Sequence, residues 1–393
     1  MSRNNNLIYD VGLHKGEDTE FYLKKGFDVV AFEANPSLLE FCRDRFAREL
    51  SSGQLRLVQG AIALPASTGK VKFYVNKTVS VWGTIDQAWV ARNAAHGKDS
   101  EEIEVDQINM EDVFEKYGIP FYLKIDIEGA DGLALNALRK FVDRPQFISI
   151  EANSVDTSAL AHDLECLDQI GYRQFQLAPQ KDIGGTLVDA KTLRGEPFVH
   201  VFTNGASGVF GDDLPGVWIN RDAVVASFLP PFIGWQDIHA TLSADESTNI
   251  ALNRPATQSS TSPWSTDPNP NVDARIANNG DVVSQKYFHT DMEVGPWWQV
   301  DLGELFFVDK IVLYNRNDVR ERLARLTVFG SEDGQRWFPI HKKSDDRAFS
   351  VYAANITSHN AIRFVRLRLD GHNYLHFREL QIFGRSDNAN HEI

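Results

Sequence analysis

Cysteine is almost absent: Cys42 and Cys166 are the only two in 393 residues. Each sits alone in an apolar helical pattern, which excludes a disulfide framework and suits reduced thiols in a reducing compartment. Long apolar runs are missing too, so no stretch of about 18 residues can span a bilayer. The N-terminal MSRNNNLIYDVG carries neither the apolar core nor the cleavage site of a signal peptide. Positive charge is scarce: Lys and Arg total 40 against 54 Asp and Glu, a net charge of −14. That balance argues against a surface built for nucleic-acid phosphates and favours neutral or weakly acidic partners. The expectation is a soluble cytoplasmic protein with no membrane span.

Hydrophobic residues at 42% and charged residues at 24% describe ordinary globular domains, and the length calls for more than one. From Leu7 to Glu151 short apolar runs (LIYDV, DVVAFE, LRLVQ, FYLKIDI, FISIE) alternate with helical patterns, the rhythm of a mostly parallel sheet. Pro36 opens one covering helix, with Leu38, Leu39, Phe41 and Cys42 on its inner side, and Asp156 to Ile170 forms another. YRQFQL and FVHVFTN read as a final antiparallel pair, while GASGVFGDDLPG and PPFIGWQDIHA read as loops or a lid. The polar run ATLSADESTN is the linker. Beyond it, short alternating runs (WWQVDLG, VDKIVLYNR, RLTVFGS, FSVYAANI, IRFVRLRL, RELQIFG) predict an antiparallel β-sandwich or barrel. The expected boundaries are 1–240, a linker 241–248, a second domain 249–385 and a tail 386–393.

Gly12 and Gly16 in DVGLHKG fall at a strand-to-helix turn, where missing side chains let a ligand approach backbone amides. Glu33 ends the next strand, where a carboxylate can accept two ribose hydroxyls. There is no G-x-G-x-x-G pattern, and Asp10 would repel a pyrophosphate but attract the ammonium of an amino-acid cofactor. S-adenosylmethionine therefore fits better than NAD. Strand alternation places Lys124, Asp126 and Glu128 of LKIDIEGAD on one face at the ligand edge of the sheet. One carboxylate there can act as general base, and His239 is a second candidate. Glu151 is similarly placed, and Val81 to Thr84 can wall the pocket. The competing reading pairs Lys124 with Asp126 structurally and uses Glu128 as a helix cap. A divalent metal between Asp126 and Glu128 stays open, since hard cations take roughly six or more oxygens.

These segments resemble the FkbM-type methyltransferases over residues 7 to about 240, through DVGLHKG (10–16), VVAFEANP (29–36), QGAIA (59–63) and LKIDIEGAD (123–131). Members of that family usually show Asn where this chain has His14 and Pro where it has Ala34. The resemblance implies a seven-stranded, Rossmann-like domain that binds S-adenosyl-L-methionine through Asp10, Gly12, His14, Gly16, Glu33, Asn35 and Ala61. It also implies methyl transfer to a hydroxyl, commonly on a sugar or natural product.

Residues 249–385 resemble the discoidin, or coagulation-factor C-type, jelly roll, through NIALNRPATQSST, PWWQVDLG and FRELQIFG. They are more finely similar to the fucose-binding F-type lectins, where a His is followed by twenty-six residues and Arg-x-Asp-x4-Arg or Lys. Here His289 precedes Arg316-Asn317-Asp318 by the same spacing, but Arg322 follows after three residues and the family's paired cysteines are missing. The resemblance implies sugar binding by His289, Arg316, Asp318 and Arg322; a rival reading makes the charges salt bridges that order a loop. It also implies a structural Ca2+ near Asn279, Asp281 and Glu379, with Asn279 standing where the family has Asp.

The whole reads as an O-methyltransferase fused to a carbohydrate-binding module that holds a glycan acceptor, fucosylated or related, with homo-oligomers open. Two alternatives belong to other classes. One is a lectin or adhesion protein with an inactive methyltransferase-like domain; the other is a small-molecule O-methyltransferase with a dimerising sandwich.

Overall fold

The computed structural model describes residues 2–65, 68–80, 82–127, 129–152, 157–227, 236–242, 248–282, 284, 286–356 and 360–387. The chain divides into two compact units, Met1–Gly216 with Phe232–Ala244, and Val217–Pro231 with Asp245–Ile393. The described residues 217–227 thus group with the second unit. The reason is packing: Ile219, Ala223 and Ala226 form one apolar cluster with Val312 and Tyr314.

In the first unit β1 (Arg3–Val11), β2 (Asp28–Glu33) and β3 (Leu55–Gln59) are followed by β4 (Ala61–Ile62), β5 (Lys70–Asn76) and β6 (Ser100–Ile108). Next come β7 (Ile119–Ile125), β8 (Phe147–Glu151), β9 (Gln174–Pro179), β10 (Leu187–Lys191), β11 (Pro197–Val201) and β12 (Gln236–Thr241). The main sheet runs β3-β2-β1-β7-β8-β12-β9. It is mixed: pairings from β3 to β8 are parallel, and β12 is antiparallel to both β8 and β9. Leu7 to Val11 are all buried, as a strand covered on both faces requires. Strand order reverses between β1 and β7, which makes their C-terminal ends the switch point where a ligand crevice opens.

Two expectations fail here. QDIHAT is a strand, not a lid, and it takes the place expected for FVHVFTN. The latter enters β11, which among the described residues pairs with β10 and no other strand. In addition, β7 ends at Ile125, so Asp126 lies just beyond the strand.

Helices follow from local chemistry. α1 (Glu17–Lys25) starts after left-handed Gly16, at φ 78. Asn35 caps α2 (Pro36–Arg45) by accepting from Ser37 N, with proline at the first position. Leu39 and Cys42 are buried as expected, but Phe41 is 49% exposed. α3 spans Ala47–Ser52 and α4 spans Gln87–Ala95. Apart from the main sheet, β4, β6 and β5 form a small sheet.

The second unit is a β-rich sandwich built around one long strand, Trp297–Tyr314. Its first half pairs antiparallel with Ala256–Gln258 and Ile362–Leu369; its second half lies between Val351–Asn355 and Glu379–Ser386. Alternation sends Trp298, Val300 and Leu302 into the core, where Trp298 Nε1 donates to Ala274 O at 2.8 Å.

Candidate functional site

The first cavity lies at the switch point and encloses about 380 Å³, within the size range of small-molecule sites. Gly12, at φ +100, forms its floor; a Cβ there would sit 2.0 Å from the carbonyl oxygen of Asp126. Only glycine lets the ends of β1 and β7 approach so closely. Glu33, buried at the end of β2, accepts from the backbone amides of His14 (2.9 Å) and Asn35 (2.7 Å). Burial outweighs those bonds and pushes its carboxyl up to about 7. His14 takes a left-handed conformation at φ 52. Its ring is held by Glu17 Oε1 through Nδ1 (2.9 Å) and by Ser80 Oγ through Nε2 (2.8 Å).

Beneath this floor lies a buried charge network. The β1·β7 register sets Asp10 beside Lys124. Lys124 Nζ stands 3.5 Å from Asp10, 3.4 Å from Asp18 and 3.6 Å from Asp126. Burial alone would lower its ammonium, but the surrounding carboxylates raise it well above the usual value. Asp126 is the partly open member, its side chain 29% exposed in the cavity wall.

Several sequence expectations change place. Asp10 is 1% exposed, accepts from Thr19 Oγ1 at 2.6 Å and does not line the cavity, so it anchors Lys124 and does not face a ligand. Gly16 makes room for Phe46, whose ring would be 2.4 Å from an added Cβ; it too stays off the lining. His239 sits within the sheet on β12, opposite Ser149 and Gln176, with both ring nitrogens buried and unpartnered. It lies outside the cavity, and burial lowers its pKa to about 4. Glu128 and Val81 lie outside the described residues.

The cavity does bring together Gly12, His14, Glu33, Asn35, Ala61, Asp126 and Glu151. Ala61, Ile62, Phe73 and Val75 give it an apolar wall. Sequence reasoning missed Glu17, Asp18, Ser80 and Arg92 in the lining; Glu17 and Asp18 were legible only as acids at a helix start.

The second cavity, about 670 Å³, gathers His289, Arg316, Asp318 and Arg322, with Trp264, Tyr287 and Tyr374 as aromatic walls. Buried Asp273 fixes the loops by accepting from His289 N (2.9 Å) and Thr266 N (2.8 Å). His289 Nδ1 lies 2.8 Å from Thr290 O, which can only accept, so Nδ1 carries the hydrogen and Nε2 is an acceptor. Burial and the two guanidiniums keep this ring below its ordinary pKa. Arg316 forms a bidentate pair with Asp318 (2.6 Å each) and lies over Tyr287. That hydrogen-bonded pair draws the Asp318 carboxyl down to about 2. Arg322 meets His376 Nε2 at 3.5 Å; His376 and the aromatics gave no spacing signal in the sequence.

Away from this cavity, Glu379 Oε1 accepts from Gly280 N (3.1 Å), while its Oε2 is buried without a hydrogen-bond partner. Burial, with Asp281 adding repulsion, pushes that carboxyl up to about 8. Among the described residues no group of three or more His, Cys, Asp and Glu gathers in metal-binding geometry.

Fold and cavities define an α/β domain with a ligand crevice at its switch point, followed by a discoidin-like β-sandwich. More particularly, residues 10–173 match the methyltransferase FkbM domain and residues 276–367 match the NedA-like, galactose-binding domain. Solved structures similar to it include the lectin domain of Lectinolysin complexed with Lewis B antigen, at 29% identity and TM-score 0.32. That match covers 36% of this chain and 99% of the other. A fucose binding module from Streptococcus pneumoniae matches at 23% identity and TM-score 0.30, over 36% of this chain and 98% of its own. No curated protein matches the chain.

Proposed function

We propose that the protein is an S-adenosyl-L-methionine-dependent O-methyltransferase that methylates a sugar hydroxyl, and that its sandwich unit binds the glycan acceptor. One observation carries the reading: Glu33 and Asp126 open into the same cavity at the switch point of a methyltransferase-family domain. Glu33, held by two backbone amides, keeps lone pairs for a pair of ribose hydroxyls. Ala61, Ile62 and Phe73 offer an apolar slot for a flat base, and Gly12 lets a ligand reach the backbone. The cofactor, when bound, supplies an electrophilic methyl group on a sulfonium centre. Asp126 would hold the acceptor hydroxyl and take its proton, while Lys124, 3.6 Å away, keeps the Asp126 side chain in place.

In the second unit, the neutral His289 Nε2 accepts from a sugar hydroxyl and the guanidiniums of Arg316 and Arg322 donate to others. Tyr374 and Trp264 stack on the C–H face. A deoxyhexose such as fucose fits, following the spacing resemblance. Asn279, Asp281 and Glu379 would hold a structural Ca2+, whose charge would answer the orphaned, buried Oε2 of Glu379.

The test is calorimetry of cofactor binding to the full chain, then transfer of a labelled methyl group to fucosylated glycans. Tight cofactor binding is expected, with turnover falling roughly 10²- to 10⁴-fold in Asp126→Asn. Full turnover by that variant would remove Asp126 as the base. Wild-type protein that binds no cofactor would end the reading.

A further inference from the structure

Arg92 lines the first cavity from α4, exposed at its rim. Its guanidinium lies against two indoles, 3.8 Å from the ring centre of Trp89 and 5.6 Å from that of Trp82. The helix is seated by Gly129: a Cβ added there would lie 2.4 Å from Trp89 Nε1. The indole thus rests on the loop after β7, the loop that carries Asp126.

The other charges of this cavity are already committed or negative. Glu17, Asp18, Glu33, Asp126 and Glu151 all line it. Its lysine, Lys124, faces three acids at 3.4 to 3.6 Å, and His14 is bonded to Glu17. Among the described residues Arg92 forms no ion pair. Arg316 in the second cavity is different, because Asp318 neutralises it through two bonds of 2.6 Å, an arrangement suited to neutral hydroxyls.

We propose that Arg92 is the acceptor-recognition residue of the methyltransferase cavity, and that the acceptor carries an oxyanion, a carboxylate or a phosphate, beside its reacting hydroxyl. The proposal rests on the methyltransferase reading above. The acids that line the interior disfavour an anion there, so the rim guanidinium is the place where it is attracted. The oxyanion docks there and the hydroxyl reaches inward to Asp126. Indole contacts restrain the guanidinium while leaving its edge N–H groups free for a bidentate contact.

The experiment uses the full chain loaded with S-adenosylhomocysteine, the demethylated cofactor, and three probes: a methyl glucuronide, a glucose phosphate and the neutral methyl glucoside. Ligand-observed NMR gives their affinities for wild type, Arg92→Gln and Arg92→Lys, with thermal melts as the folding control. Wild type is expected to bind at least one charged probe about tenfold or more above the neutral one. Arg92→Gln should erase that preference and Arg92→Lys should keep part of it. The tighter of the two charged probes assigns carboxylate or phosphate. Equal binding of charged and neutral probes by wild type, or a preference that survives in Arg92→Gln, overturns the proposal. Methyl-transfer assays on the same probes separate the two readings. A charged preference lost in Arg92→Gln, without transfer to any acceptor, upholds the anion site and sinks the methyltransferase. Transfer to neutral sugars without a charged preference does the reverse.

Discussion

The cavity of the first unit rests on a network of charges buried beneath it, whereas that of the second holds an ion pair and a tryptophan that reach solvent. Asp10, Asp18 and Lys124 are each no more than 5% exposed at the side chain and hold one another. In the second cavity Asp318 is 61% exposed and Trp264 64%. The difference teaches how each site obtains its geometry. In the first, strand register and a glycine with no room for a methyl group fix the positions, so ligand and fold share the same residues. In the second, a buried aspartate ties loops from behind, and of the contact groups His289 is buried with them while Asp318 reaches out to solvent.

The comparison breaks most visibly at Lys124. Lys124→Met leaves Asp10 and Asp18 buried without a cation, and should cost the first unit about 3–5 kcal/mol in chemical denaturation. A loss below about 1 kcal/mol would show that the network is not what holds the floor. Gly12→Ala comes next: positive φ and the 2.0 Å approach to Asp126 O should cost about 2–3 kcal/mol and abolish cofactor binding by calorimetry. By contrast, Arg322→Ala should leave the melting transition of the second unit nearly unmoved, and His289→Ala, which empties a buried position bonded to Thr290 O, should lower it only modestly. Each should weaken fucoside binding on a glycan array or by titration roughly a hundredfold, about 2.7 kcal/mol. A large loss of stability in either would put the second site on the same footing as the first.

A further effect, complete only at alkaline pH, lies at Glu379. Its folded-state carboxyl lies near 8 against an ordinary 4.5, so the folded chain binds more protons between those values. The destabilisation is therefore absent below pH 4.5, grows as pH rises and is complete above about 8. Glu379→Gln should raise the melting temperature at pH 9 in calcium-free buffer and change nothing at pH 4. Added Ca2+ should stabilise the wild type at pH 9 and lose its effect as the pH falls, with no response in the variant.

Much of the first unit was legible because buried parallel strands write themselves as apolar runs: DVVAFE and LRLVQ have the predicted limits. QDIHAT was not, since Gln, Asp, His and Thr interrupt it, and only pairing with β8 and β9 makes it a strand. The direction of Asp10 was equally hidden. Periodicity placed it at the ligand edge, but the register with Lys124 turned it inward. At the second site a spacing of residues far apart in sequence named two groups that line one cavity, because His289 and Arg316 sit on loops whose separation the sandwich fixes. Trp264 and Tyr374 had no such marker. Arg92 gave none either, since a helix bearing two tryptophan contacts reads as ordinary packing.

The clasp of Glu33 by the amides of His14 and Asn35 also bears on how loading of the first unit would be measured. A carboxyl poised near 7 is shared between its two protonation states in neutral buffer. A cationic ligand whose hydroxyls donate to it selects the charged form, so each binding event releases a fraction of a proton to the solvent. The apparent heat of binding then depends on the ionisation enthalpy of the buffer, and apparent affinity rises with pH up to that value and levels off beyond it. Titrations in phosphate and in Tris at pH 7 would differ in heat while agreeing in stoichiometry, and Glu33→Gln would bring them together.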